Sequence, residues 1–131
     1  MREYHFNPTL KTPLVRALLT GPRCTKHVRL VFDTGAAMTQ FHQATMNFVG
    51  YNESLKIADA VVTSTTTDEE IGYVVEAQRL YVLGTRFDNI PIAGYDMSRL
   101  SDMGIDGLLG WDVIRTLHLE MVGPSGLLKV F

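Results

Sequence analysis

The chain has 131 residues, 46% of them apolar, which suits one compact domain, 1–131, with a real hydrophobic core. Its 12 basic and 14 acidic side chains leave a net charge of −2, which argues against a nucleic-acid binder working through bulk electrostatics. One cysteine, Cys24, leaves no internal disulfide, and with no signal-peptide-like start and no apolar run long enough to span a bilayer, a cytoplasmic chain without a membrane partner is expected.

Strand signals dominate along the chain. The segment PLVRALLTG is apolar and β-compatible, and Gly21-Pro22 ends it. KHVRLVF alternates, with Val28, Leu30 and Phe32 on one face and His27 and Arg29 on the other. Beyond Thr39, the residues Phe41, Ala44 and Phe48 recur at helical spacing and predict a short helix. EIGYVVEAQRLYVLG is a long alternating run that places Ile71, Tyr73, Val75 and Ala77 on one side, and RFDNIPIAGY reads as a further strand. Trp111, Ile114 and Leu117 predict a second short helix, with Trp111 as a core anchor. LHLEMVGPSGLLKVF reads as two strands around a Gly-Pro-Ser-Gly turn, and the residues before Leu14 read either as a terminal strand or as a removable extension. The sum is a mainly-β domain with one or two short helices, closed or nearly closed into a barrel.

The candidate site lies in VRLVFDTGAAMTQF. A hydrophobic strand runs into Asp33, Thr34, Gly35 and Ala36, an arrangement that presents one carboxylate at a rigid position. Gly35 permits a tight turn, and backbone amides at the turn are placed to donate to the acid. Taken alone, the same residues are also an ordinary turn with Asp at its first position. The four histidines have no metal-ligand spacing, and Asp102, Asp106 and Asp112 are separated by apolar residues where a calcium loop needs oxygens. No metal and no cofactor are expected.

Downstream, GIDGLLGWDVIRTL carries the apolar pair and glycine Leu108, Leu109 and Gly110, which lead directly into the second predicted helix. With Asp33 to Ala36 in front and a hairpin at roughly Val61 to Val75 between, the sequence resembles a retropepsin-like aspartic protease, a single-lobe relative of pepsin, over about residues 13–122. The resemblance implies a closed six-stranded acid-protease barrel lobe in which Asp33 is catalytic, Thr34, Gly35 and Ala36 support the active loop, and Leu108, Leu109 and Gly110 are scaffold behind it. It further implies a flap tip at Ser64, Thr65, Thr66 and Thr67 that covers substrate.

Hydrolysis by two carboxylates needs one ionised, to draw a proton from water, and one protonated, to donate to the scissile carbonyl. This chain has no second Asp-Thr/Ser-Gly, so the resemblance implies a homodimer whose twofold axis places Asp33 beside its own mate and lets Thr34 bond across. Ala36 offers no hydroxyl to the carboxylate, which favours work at weakly acidic to neutral pH. The expected function is aspartic endopeptidase activity on polypeptide substrates; the alternative is a catalytically silent dimeric peptide-binding or scaffold module of the same fold.

Overall fold

The computed structural model describes residues 1–63 and 69–131. In chain order the elements are β1 (Arg2–His5), β2 (Leu14–Thr20), β3 (Thr25–Phe32), β4 (Gln40–His42), α1 (Gln43–Val49), β5 (Ala58–Thr63), β6 (Glu69–Val82), β7 (Thr85–Tyr95), α2 (Ser98–Asp102), β8 (Gly107–Leu109), α3 (Trp111–Ile114), β9 (Leu119–Val122) and β10 (Leu127–Val130). Among the described residues no helix is long and apolar enough to cross a membrane.

Six strands close into a barrel in the order β2-β3-β8-β4-β7-β6, with β6 returning to pair with β2. The alternation read from sequence explains the wall. In the β2–β3 hairpin, Val15, Ala17, Leu19, Val28 and Leu30 are buried, while Arg16, His27 and Arg29 stay outside. Phe41, Met46, Leu80, Ile92 and Leu109 fill the interior and are fully buried. Strand β6 has 14 residues, long enough for two tasks. Its C-terminal end closes the barrel through Ala17↔Val82 to Thr20↔Arg79. Its N-terminal end carries β5 through Ala58↔Val74 to Thr63↔Glu69.

The β6–β7 connection is a two-residue turn at Leu83-Gly84, with φ of 51° and 70°. Two positive φ values fit the twist of the flanking strands. A leucine resists that conformation, and here its side chain is held in the core at 3% exposure. A second sheet, β1-β10-β9, joins both ends of the described chain, and Leu128 and Val130 carry it into the main core. The segment before Leu14 therefore contributes a paired strand, Arg2–His5 against Val130–Leu127.

Both predicted helices form, but their faces differ from the sequence reading. Phe41 belongs to β4 and is fully buried there, whereas Phe48 is 56% exposed and Ala44 is also outside. The buried face of α1 is Thr45, Met46 and Val49, because β4 sets the phase with which the chain enters the helix. Gly50, at φ 108°, ends it by donating to the carbonyls of Met46 and Asn47. Trp111 is 48% exposed and is not a core anchor; Val113 and Ile114 fill that role in α3. The short helix α2 is an addition to the two expected.

The barrel seam is extended by a side chain. Beyond the last β2–β6 pair, the Tyr51 hydroxyl donates to the Thr20 carbonyl and accepts from the Gln78 N–H, each at 2.7 Å. It stands where another rung of the ladder would fall. Burial pushes the phenol above its ordinary value of 10.0, and the Gln78 N–H offsets part of that rise. Because the folded state favours the neutral phenol, this stabilisation is complete below pH 10.0 and is lost as pH rises through the folded value. Tyr51→Phe, leaving Thr20 and Gln78 short of a partner, is expected to cost about 2 kcal/mol at neutral pH. Urea titrations should also show the variant losing less stability than the wild type between neutral and strongly alkaline pH.

Candidate active site

Strand β8 decides where Asp33 sits. It lies between β3 and β4, parallel to the first (Leu30↔Gly107 to Phe32↔Leu109) and antiparallel to the second (Gln40↔Leu108, Phe41↔Gly107). The β3–β8 ladder runs one bond further, from the Asp33 N–H to the Leu109 carbonyl at 3.0 Å. The acid is thus fixed at the last rung of a sheet, and the loop beyond it returns to the other side of the same short strand. Glycine is required on both sides of Leu108-Leu109: a Cβ at Gly107 would stand 1.9 Å from the Gln40 carbonyl oxygen, and one at Gly110, just past β8, would stand 2.6 Å from the Met38 backbone.

The loop folds around its own carboxylate. The Gly35 N–H donates to Asp33 Oδ1 at 2.9 Å, and the Ala36 N–H donates to the Asp33 carbonyl at 3.3 Å. The Trp111 N–H donates to the Ala36 carbonyl at 2.7 Å, tying the loop to the start of α3. Asp33 is half-buried, Ala36 buried, and Thr34, Gly35 and Ala37 exposed. The structure therefore brings Asp33, Thr34, Gly35 and Ala36 together with Leu108, Leu109 and Gly110. Among the described residues the Thr34 hydroxyl has no hydrogen-bond partner.

Sequence reading missed the bracket at the loop's far end. Thr39 is fully buried; its N–H and its hydroxyl donate to Asp112 Oδ1 at 3.0 and 2.8 Å. The same hydroxyl accepts from the Gly110 N–H at 3.1 Å, and Asp112 Oδ1 also receives the Val113 N–H. One hydroxyl and one carboxylate thus clamp the active loop to the Leu108 to Gly110 segment. An acid in the first turn of a helix was the available signal, but its partner lies 73 positions away. Asp106 makes a second bracket, accepting from Thr45 Oγ1 and the Arg29 N–H at 2.9 Å each.

These features have a precedent. A family model described as aspartyl protease matches residues 15–113. The chain belongs to the aspartyl protease family. Among solved structures, the chain is similar to a retropepsin-like aspartic protease from Rickettsia conorii, with a TM-score of 0.71 at 13% identity over 100% of this chain and 99% of that one. It is also similar to the retroviral protease-like domain of Ddi1 from Leishmania major, with a TM-score of 0.59 at 10% identity over 93% and 90% of the two chains. At these identities the likeness shows a shared retropepsin-like fold. No curated protein sequence matches the chain.

The predicted flap tip, Ser64, Thr65, Thr66 and Thr67, lies outside the described residues. The hairpin arms are β5 and the first half of β6, where Val61 pairs with Ile71 and both are exposed, at 58% and 74%. Gly72 in β6 is buried against β7, where a Cβ would stand 2.0 Å from the Gly94 carbonyl oxygen.

The clamp gives a direct prediction. Thr39→Val keeps the shape but leaves the buried Gly110 N–H without an acceptor and removes a donor from Asp112, at an expected cost of about 2 kcal/mol. Asp112→Asn retains an acceptor oxygen and should cost less. Denaturation followed by the fluorescence of Trp111, the single tryptophan, checks the ranking.

Proposed function

We propose that the chain is a homodimeric aspartic endopeptidase in which Asp33 from each of two copies forms the catalytic pair. The observation that carries this reading is the setting of Asp33. Its carboxylate is half-buried at the end of β3, holds one internal bond from Gly35, and sits on a loop clamped at both ends. That is the presentation a reacting group needs, and membership of the aspartyl protease family supports it.

The chemistry follows from pairing. A water held between the two carboxylates attacks the scissile carbonyl carbon. The ionised Asp33 takes the water's proton as the C–O bond forms, and the protonated Asp33 gives its proton to the carbonyl oxygen. The tetrahedral intermediate then collapses. The C–N bond breaks, a proton passes to the leaving nitrogen, and an acid and an amine result. Two carboxylates this close cannot both ionise, so the pair itself supplies one acid and one base. Thr34, exposed beside the acid in one copy, would bond across the axis and hold the two loops in register. An extended polypeptide would lie as a strand across both lobes.

Asp33→Asn is expected to lower cleavage of a peptide library by about 10²–10⁴-fold or more without loss of fold. Excess Asp33→Asn chain added to wild type should poison activity through mixed dimers, and sedimentation should show dimers forming as concentration rises. Equal cleavage by mutant and wild type would instead leave a dimeric peptide-binding module of the same fold, and a strict monomer would remove the second carboxylate altogether.

A further inference from the structure

Away from Asp33, a cavity of about 420 Å³ opens where the barrel seam ends. The β2–β6 pairing stops at Ala17↔Val82, so Leu14 to Arg16 run on without β6 beside them. The N-terminal segment from Tyr4 to Leu10 and the Leu83-Gly84 turn enclose the resulting gap. Its walls include Phe6, Leu10, Leu18, Tyr81 and Leu128, and two of these, Leu10 and Tyr81, are 47% and 44% exposed. The volume falls within the range of small-molecule sites, about 300–1,000 Å³.

The charge around this cavity is one-sided. Arg16, His27 and Arg29 line it, and among the described residues no carboxylate does. Arg16 and Arg29 are directly opposite each other across the β2–β3 ladder and both are exposed. Like charges in that position are destabilising, and among the described residues neither guanidinium has an ion-pair partner; the four ion pairs there use Lys56, Arg79 and Arg86. Arg16, His27 and Arg29 also line the neighbouring depression, which contains Asp106; that carboxylate accepts from the Arg29 backbone N–H and the Thr45 hydroxyl and, among the described residues, makes no ion pair with either guanidinium. An apolar chamber with two arginines on the rim it shares with that depression, neither in an ion pair among the described residues, is complementary to a molecule with a hydrocarbon body and an anionic head. We propose that this cavity binds a small amphipathic carboxylate, with Arg16 and Arg29 holding the head and the Phe6, Leu18 and Tyr81 walls holding the body. The proposal is independent of proteolysis.

Calorimetric titration of the full chain with decanoate, kept below micelle formation, tests it. One saturable site is expected, with decanol and acetate each at least about tenfold weaker, because each offers only half of the complementarity. The Arg16→Ala/Arg29→Ala variant should bind decanoate at least about tenfold more weakly, bind decanol as wild type does, and melt no lower, since a like-charge pair has been removed. Absence of saturation, equal binding of decanol and decanoate, or wild-type affinity in the variant would each overturn the proposal. Asp33→Asn should bind decanoate unchanged, which separates this site from the proposed catalytic one.

Discussion

The site rests on a backbone contact: a three-residue strand, β8, lies between two strands that are joined to each other by the active loop. Its parallel neighbour β3 ends in Asp33 and its antiparallel neighbour β4 begins where the loop returns. Such an insertion demands close approach of three main chains, and the two glycines that flank Leu108-Leu109 provide it. The consequence is mechanical. Both ends of the loop are referred to the same strand, so a displacement of one end relative to the other would require breaking the sheet. Thr39 and Asp112 add the polar half of the same constraint, since their bonds also run between loop and β8 exit. Precise placement of a carboxylate is thereby achieved by sheet geometry, with little strain in the loop itself; among the described residues, positive φ outside glycine occurs at Leu83 and Asn89, far along the chain.

Much of this architecture was legible because strands write a period of two into the sequence. Val28 and Leu30 inward with His27 and Arg29 outward is the clearest case, and it located the strand that ends in Asp33. The motif from Asp33 to Ala36 and the segment Leu108 to Gly110 marked the two parts that β3–β8 pairing joins. The helices were legible only in position. A helix of seven residues contains two turns, too few for its own periodicity to fix which face is buried, so α1 took its phase from β4 and turned Phe48 outward. Trp111 misled for a related reason: its size suggests burial, but its place is set by the Ala36 carbonyl that its N–H must reach. The Thr39–Asp112 clamp was invisible because nothing local distinguishes a threonine that will meet an aspartate 73 positions later.

A single copy of this fold leaves its site half-dressed. Thr34 and Gly35 are exposed beside a half-buried Asp33, and the indole of Trp111 lies partly in solvent one hydrogen bond away from Ala36. Two carboxylates within hydrogen-bond reach divide their protonation between them, which the single Asp33 of one copy cannot do. A second copy across a twofold axis would supply the missing wall and the missing charge together. Strand β10 is already paired on both sides within its own chain, with β1 and with β9. Association that preserved this sheet would therefore have to use its outer strands or the exposed active-loop surface, and not an interleaving of β10.

The long strand β6 gives the molecule two ends with different tasks. Toward its N-terminus it carries the β5 arm, whose Val61–Ile71 pair is left uncovered. Toward its C-terminus it closes the barrel over only four residue pairs. So short a closure needs reinforcement, and it receives it from Tyr51 at one limit and from the buried Leu83 turn at the other. Where that reinforcement stops, the wall opens, and the opening coincides with the cross-strand arginines. A barrel optimised only for stability would have extended β6 past Leu14 and replaced one arginine of the pair. The chain instead keeps an apolar gap beside two arginines that make no ion pair among the described residues, and occupancy by an anion with a hydrocarbon body would satisfy both.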